Sequence, residues 1–306
     1  WTLLLLCPGV NALSPQKYYV KQSATGSGVS WNNASADLQQ IVNNASEGDT
    51  VFVAEGRYYP LPTDTKGFVM KKGVQVYGGF SGEGLVSYAN QMDTVLYKTY
   101  LDGDRKTRVL TQDAEFDTNT EWGGFVVCNG YLAEDNSYGG AILLRKGGKI
   151  RTSTITGNYI YASETAFGGG IYNLGGEIEN CIVQYNKILG GGTYGAGIFN
   201  QQGSVTNCIV MYNDAEANAF FSNVVAAGGG IYNREGKIVN TLSARNTVYA
   251  YTIVAAYSWG AGIYNSQGEI INCTIADNMS DATADAYTYS AGAGLYNQGN
   301  CKIVNS

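Results

Sequence analysis

The 306-residue chain contains no histidine. That removes the commonest general base, the Ser–His nucleophile pair and every His-ligated metal site. Proline is scarce, with four residues in all, and no Pro/Ser-rich stretch interrupts the chain, so one continuous domain is expected. None of the six cysteines forms a CxxC pair, which argues against zinc and thioredoxin-type sites. Only 14% of residues are charged, with a net charge of −6. An acidic, weakly charged chain offers no field for phosphates, and nucleic acid is not an expected partner. The one dense apolar run, TLLLLC at residues 2–7, is too short to cross a membrane.

What the chain has instead is glycine, asparagine and one recurring phrase. AGIYNSQGEIINCTIADN at residues 261–278 repeats the template of GGIYNLGGEIENCIVQYN (169–186), AGIFNQQGSVTNCIVMYN (196–213) and GGIYNREGKIVNTLSARN (229–246). A looser copy occupies 139–158 and a partial one 293–306. Ile150, Ile178, Val205, Ile238 and Ile270 each stand eight residues before an Asn: Asn158, Asn186, Asn213, Asn246 and Asn278. A spacing held while the intervening residues vary marks a structural repeat. Its period, taken between Ile171, Ile198, Ile231, Ile263 and Leu295, is 27, 33, 32 and 32 residues. Helical repeats share such periods, but Gly, Asn, Tyr, Ile, Val and Thr suit strands and tight turns. The units are therefore expected to be rungs of a parallel β-helix, three short strands each, with the length variation in one turn.

Side-chain parity places the bends. Strict alternation from Ile270 would turn Asn272 inward and Cys273 outward. Yet Cys181, Cys208, Thr241 and Cys273 are always small, and two residues on stand Val183, Val210, Ser243 and Ile275. A bend at Asn180, Asn207, Asn240 and Asn272 resets the alternation, since Asn tolerates left-handed backbone. Three stacked Asn ladders are expected: this one, Asn173/Asn200/Asn233/Asn265/Asn297, and the closing Asn of each unit. The cysteines at the bend should be buried free thiols.

Before the array, residues 2–12 read as the tail of a secretory signal peptide, with Val10 and Ala12 at the small-residue positions. The mature β-helix domain would then span 13–306: an N-terminal cap at about 18–60, irregular rungs at 61–138 and regular repeats at 139–306. Within the cap, Leu38, Ile41, Val42 and Ala45 recur at helical spacing after Ser35, the expected N-cap. Such an amphipathic helix could plug the open end of a solenoid.

The segment at 18–60, with its DLQQIV helix and GDTVFVAEGRYYP strand, resembles the N-terminal cap of secreted right-handed parallel β-helix proteins of the pectate-lyase-like superfamily. The GGGIYN units with their Asn-terminated strands resemble the polymorphic outer-membrane-protein repeat of surface adhesins and autotransporter passengers, with Val183, Val210 and Ile275 where that repeat carries Phe. Together the two imply an all-β, single-stranded right-handed parallel β-helix, secreted or held at the outer membrane or cell surface. They also imply a non-catalytic adhesin or carbohydrate-binding role, with an extracellular polysaccharide or a host or cell-surface protein as partner.

Two groups of residues could carry function. LDGDRKTR supplies Asp102, Asp104, Lys106 and Arg108. Acids for calcium and a base for a proton next to a uronate carboxylate are what a polysaccharide lyase or glycosidase acting on acidic glycans would need. A solvated turn of paired charges is the alternative, and no cofactor other than calcium is implied. The second group is aromatic. The stretch between each closing Asn and the next GIYN carries Tyr159, Tyr161 and Phe167, then Tyr194, Phe220 and Phe221, then Tyr249, Tyr251, Tyr257 and Trp259, then Tyr287 and Tyr289. These rings could bind a sugar or a protein partner, the last six being the candidate ligand-binding residues. They could equally be the outer face of a third strand, laddered for sheet stability.

Overall fold

The computed structural model describes residues 14–61, 66–86 and 88–306. The expected leader lies outside these residues. Within them the repeat folds as its alternation requires. Ile150, Ile178, Val205, Ile238 and Ile270 form one register column, and all are buried. Asn180, Asn207, Asn240 and Asn272 then take φ of 53°, 54°, 49° and 52°, the left-handed region that Asn enters more readily than other residues with a Cβ. That bend returns Cys181, Cys208, Thr241 and Cys273 to the interior.

Stacking these units gives an all-β parallel solenoid of about nine turns. Five parallel sheets run along it, named here by the strands of one turn. Ile171–Leu174 belongs to sheet I, Glu177–Glu179 to sheet II, Ile182–Gln184 to sheet III, Lys187–Gly190 to sheet IV and Gly192–Tyr194 to sheet V. The expectation of three strands per turn is corrected for the regular repeats, where each turn carries five. Sheets I, II and III hold eight, ten and eight strands and enclose the main core, from Val20 to Cys273. Sheets IV and V hold six each and start only at Tyr131–Leu132 and Asn136–Tyr138. The variable stretch after each closing Asn is thus two strands, one going out and one coming back. They pack over a second, alanine-rich core that includes Ala162, Ala166, Ala215, Ala217, Ala226 and Ala250. Such small side chains let the two sheets form a thin fin beside the main coil, with the length variation at its tip.

The chain returns from sheet V to sheet I through Gly168, Gly195, Gly228, Gly260 and Gly292, at φ of 57° to 69°. A Cβ there would come within 2.3–2.6 Å of a carbonyl oxygen three residues on, so this corner admits only glycine.

Two Asn ladders are as expected. Asn173, Asn200, Asn233 and Asn265 each donate from Nδ2 to the Oδ1 of the next member, at 2.8, 2.7, 2.8 and 3.1 Å. Asn158, Asn186, Asn213 and Asn246 do the same at 2.8 to 3.1 Å. The third is different. The bend asparagines are exposed, and they are held through their backbone N–H groups, which donate to the next turn at 2.8 to 3.0 Å. One stacked pair is made, Asn240 Nδ2 donating to Asn207 Oδ1 at 3.2 Å, but these side chains are open to solvent and do not depend on it.

The helix Leu38–Asn44 buries Leu38, Ile41 and Val42 in the main core, next to Lys17–Val20, the first strand of sheet II. Its N-cap is Asp37, which accepts from Gln40 N at 2.9 Å. Ser35 instead accepts from Asp37 N, at 3.2 Å, which orients the cap residue rather than the helix. No helix among the described residues is long and apolar enough to cross a membrane.

Candidate functional site

The charged quartet does not converge. Asp102 ends the strand Thr99–Asp102 of sheet III and is buried. It pairs with Arg57 and accepts from Asn129 Nδ2, at 3.0 Å to each oxygen, and from Asp104 N at 2.8 Å. Asp104 and Lys106 pair with each other on the exposed surface. Arg108 turns the other way. Its guanidinium donates to the carbonyls of Gly139 at 2.8 Å and Tyr138 at 2.5 Å, pinning the first turn of the fin to the coil. Burial pushes its pKa down from the ordinary value. Among the described residues no three Asp, Glu or Cys side chains are grouped to hold a metal ion. Of the four residues, two are fixed by structural contacts and only Asp104 and Lys106 face solvent.

The six aromatic candidates are brought together only in part. Val248 and Ala250 of Thr247–Thr252 and Ala256 of Ala255–Trp259 point into the fin core. Tyr249 and Tyr251 therefore face out from sheet IV, while Tyr257 and Trp259 face out from sheet V on the opposite side. Tyr287 and Tyr289 pair in register with Ala255 and Tyr257, which places them on the sheet V side as well. The Tyr257 ring lies 5.5 Å from Trp259 and 5.9 Å from Tyr287, tilted by about 50° to each. Four of the six thus share one face, and Tyr249 and Tyr251 are separated from them by the thickness of the fin.

A larger aromatic feature lies where sheet V meets sheet I. Tyr172, Phe199, Tyr232, Tyr264 and Tyr296 form a continuous ladder on sheet I, their rings 5.0, 5.1, 4.6 and 5.3 Å apart and within 19° of parallel. Tyr138, Phe167 and Tyr194 form a second column on sheet V at 5.2 and 5.1 Å, and its Phe167 and Tyr194 meet Phe199 and Tyr232 edge to face. Trp259 stacks on Tyr296 at 5.7 Å. Burial pushes the phenols of Tyr172, Tyr194, Tyr232 and Tyr264 up, so they stay neutral donors. Sequence reasoning passed over this ladder, although its signal was present: the Tyr or Phe of every GIYN follows an inward Ile and so must point outward.

Ring geometry decides what each group can do. Rings stacked along the axis cover one another's faces and show solvent only edges and hydroxyls. The ladder can therefore stiffen the corner and offer a row of phenol hydroxyls. Tyr257, Tyr287 and Tyr289 are tilted or unstacked, and Tyr287 and Tyr289 are 53% and 43% exposed, so they can present faces to a ligand. Comparison of the chain with protein-family models, curated proteins and solved structures finds no match in any of the three.

Proposed function

We propose that this protein is a non-catalytic binding scaffold, secreted or displayed at a cell surface, whose sheet V face holds an extracellular polysaccharide. The observation that carries the reading is the group of open rings Tyr257, Tyr287 and Tyr289 on strands of a rigid stack, beside a row of phenol edges. Aromatic faces meet the C–H faces of sugars, the phenols supply hydrogen bonds, and a row along the axis lets a long glycan gain avidity from weak contacts. The secretory leader read at residues 2–12 supports export. The charged quartet favours binding over lyase or glycosidase chemistry, because Asp102 and Arg108 are committed to structural partners. We further take the coil to be right-handed, the hand that parallel crossovers adopt almost without exception. The helix Leu38–Asn44 would then plug its first turn.

Affinity electrophoresis against a panel of polysaccharides tests the proposal. Replacing Tyr257, Tyr287 and Tyr289 together by Ala should weaken retention by about tenfold, with the β-sheet circular dichroism unchanged. Trp259 is left out because it packs against Tyr264 and Tyr296. Retention unaffected by the triple change would sink the proposed face. Depolymerisation of a polyuronate that is lost on Lys106→Ala would replace binding with the lyase alternative, and capture of a cell-surface protein without glycan would change the partner class.

A further inference from the structure

On the other side of the fin, where sheet III turns into sheet IV, one residue per turn occupies a left-handed corner position. Asn129, Tyr185, Tyr212, Arg245 and Asp277 hold it at φ of 55°, 54°, 55°, 54° and 54°. In the turn between Asn129 and Tyr185 the position is Gly157, at φ 67°, and a Cβ built there would meet nothing within 4 Å. This is space where other turns place a ring.

Tyr212 and Tyr185 stack at 5.1 Å, 4° from parallel, so one face of Tyr185 is covered. Its other face looks along the axis towards Gly157, and the side chain is 57% exposed. Small-ligand pockets run from about 300 to 1,000 Å³, and the cavity here, of about 550 Å³, is lined by Arg105, Tyr131, Asn158, Tyr159, Tyr185 and Lys187. Tyr131 and Tyr159 form a tilted pair at 5.9 Å. Burial works against the charge of Lys187, but Glu216 and Asp214 outweigh it and raise its pKa, so Lys187 brings no net unpaired charge. Arg105 does. Its guanidinium is exposed and forms no ion pair among the described residues, while its backbone is fixed by a bond from its N–H to the Asn129 carbonyl at 2.8 Å.

We infer that the gap at Gly157 is a binding subsite for a carboxylated sugar residue, whose ring continues the Tyr212–Tyr185 stack and whose carboxylate pairs with Arg105. The ring's C–H face meets the open π face of Tyr185, and the guanidinium fork matches a carboxylate. Tyr131 and Tyr159 are available to the sugar hydroxyls, while the buried Asn158 stays committed to Gly130 and Asn186. The inference rests on the glycan-binding reading but uses a different face of the molecule.

Calorimetric titration of the whole chain with free N-acetylneuraminate and glucuronate, with glucose and benzoate as controls, decides it. Either carboxylated sugar should bind at least about tenfold more tightly than glucose, and Arg105→Gln should remove that margin, as expected for one charge-assisted contact. Gly157→Tyr should abolish binding with native circular dichroism, because Tyr185 and Tyr212, one and two turns on from Gly157, already occupy the same left-handed backbone conformation. If Gly157→Tyr does not fold, Tyr185→Ala takes its place with the same expected loss. The Tyr257/Tyr287/Tyr289→Ala variant should leave this binding intact, so the two faces fail separately. No binding at millimolar sugar, binding that survives Gly157→Tyr, glucose as good as the acids, or benzoate as good as the sugars would each overturn the inference.

Discussion

Cys181 and Cys208 stand on adjacent turns in one column behind the Asn bend, each donating to the carbonyl two residues before it at 3.2 Å. All five cysteines among the described residues are free thiols, and only Cys301 is partly exposed. Burial, and then the neighbouring Cys208, push the Cys181 thiol well up. Cys128 is pushed up to about 11, by burial first and then by the charge of Asp102. We expect iodoacetamide to label Cys301 in the native protein and Cys128, Cys181, Cys208 and Cys273 only after denaturation, as read by peptide mass mapping. A thiol raised in the folded state keeps its full contribution below its unfolded value, near 9, and loses it as pH rises towards 11. The urea midpoint should therefore fall across that window. A midpoint that rises there would mean that Cys128 is not buried as a neutral thiol.

The Asn ladder of sheet I shows how a side chain becomes part of an element. Asn200 accepts from Asn173, donates to Asn233 and also donates to the Gly203 carbonyl at 3.0 Å. It is fully buried, so Asn200→Ala takes one hydrogen bond from each neighbour in a space water does not enter, although Asn173 keeps Gly176 and Asn233 keeps Gly236 and Asn265. We expect a loss of about 2–4 kcal/mol by urea unfolding. Asn207 has the same residue type but stands exposed at a left-handed bend, where glycine is at least as comfortable. Asn207→Gly should stay within about 0.5 kcal/mol of the parent. Equal costs for the two would show that burial is not what separates the ladders.

At the scale of the whole molecule, each turn contacts only its neighbours, and stability is close to a sum over turns and their interfaces. Removing one complete period tests this. Deleting residues 171–197, one 27-residue turn, joins Gly170 to Ile198 and brings Leu144 beside Asn200, Asn158 beside Asn213 and Ile150 beside Val205. The inward columns and the closing-Asn ladder keep their chemistry, although Leu144 now ends the sheet I ladder one turn later. We expect a folded protein with the same β-sheet circular dichroism per residue and a midpoint lowered by only a few degrees. Deleting only residues 171–183 should abolish the cooperative transition, since the turn at the junction would lose its strands in sheets I and II and could not close around the core. Two deletions with the same outcome would refute the additive picture.

The periodic Ile and Asn positions, the Asn bend and the buried small residues behind it were legible in the sequence, because each follows from local alternation and backbone preference repeated in every unit. The same logic could have shown the Tyr172 to Tyr296 ladder. The N-cap was misplaced by two residues because Ser35 and Asp37 both have the right chemistry, and only the backbone path separates them. Asp102 and Arg108 lie six residues apart in the chain yet face different partners, Arg57 and the Gly139 turn, because each is claimed by a group distant in sequence. Whether an aromatic residue shows its face or its edge, and on which side of the fin it lies, depends on how two strands fold back over alanines. The sequence determined the rung; the stacking of rungs decided which rings cover one another and left the gap at Gly157 open, since that space is bounded by residues of four successive turns.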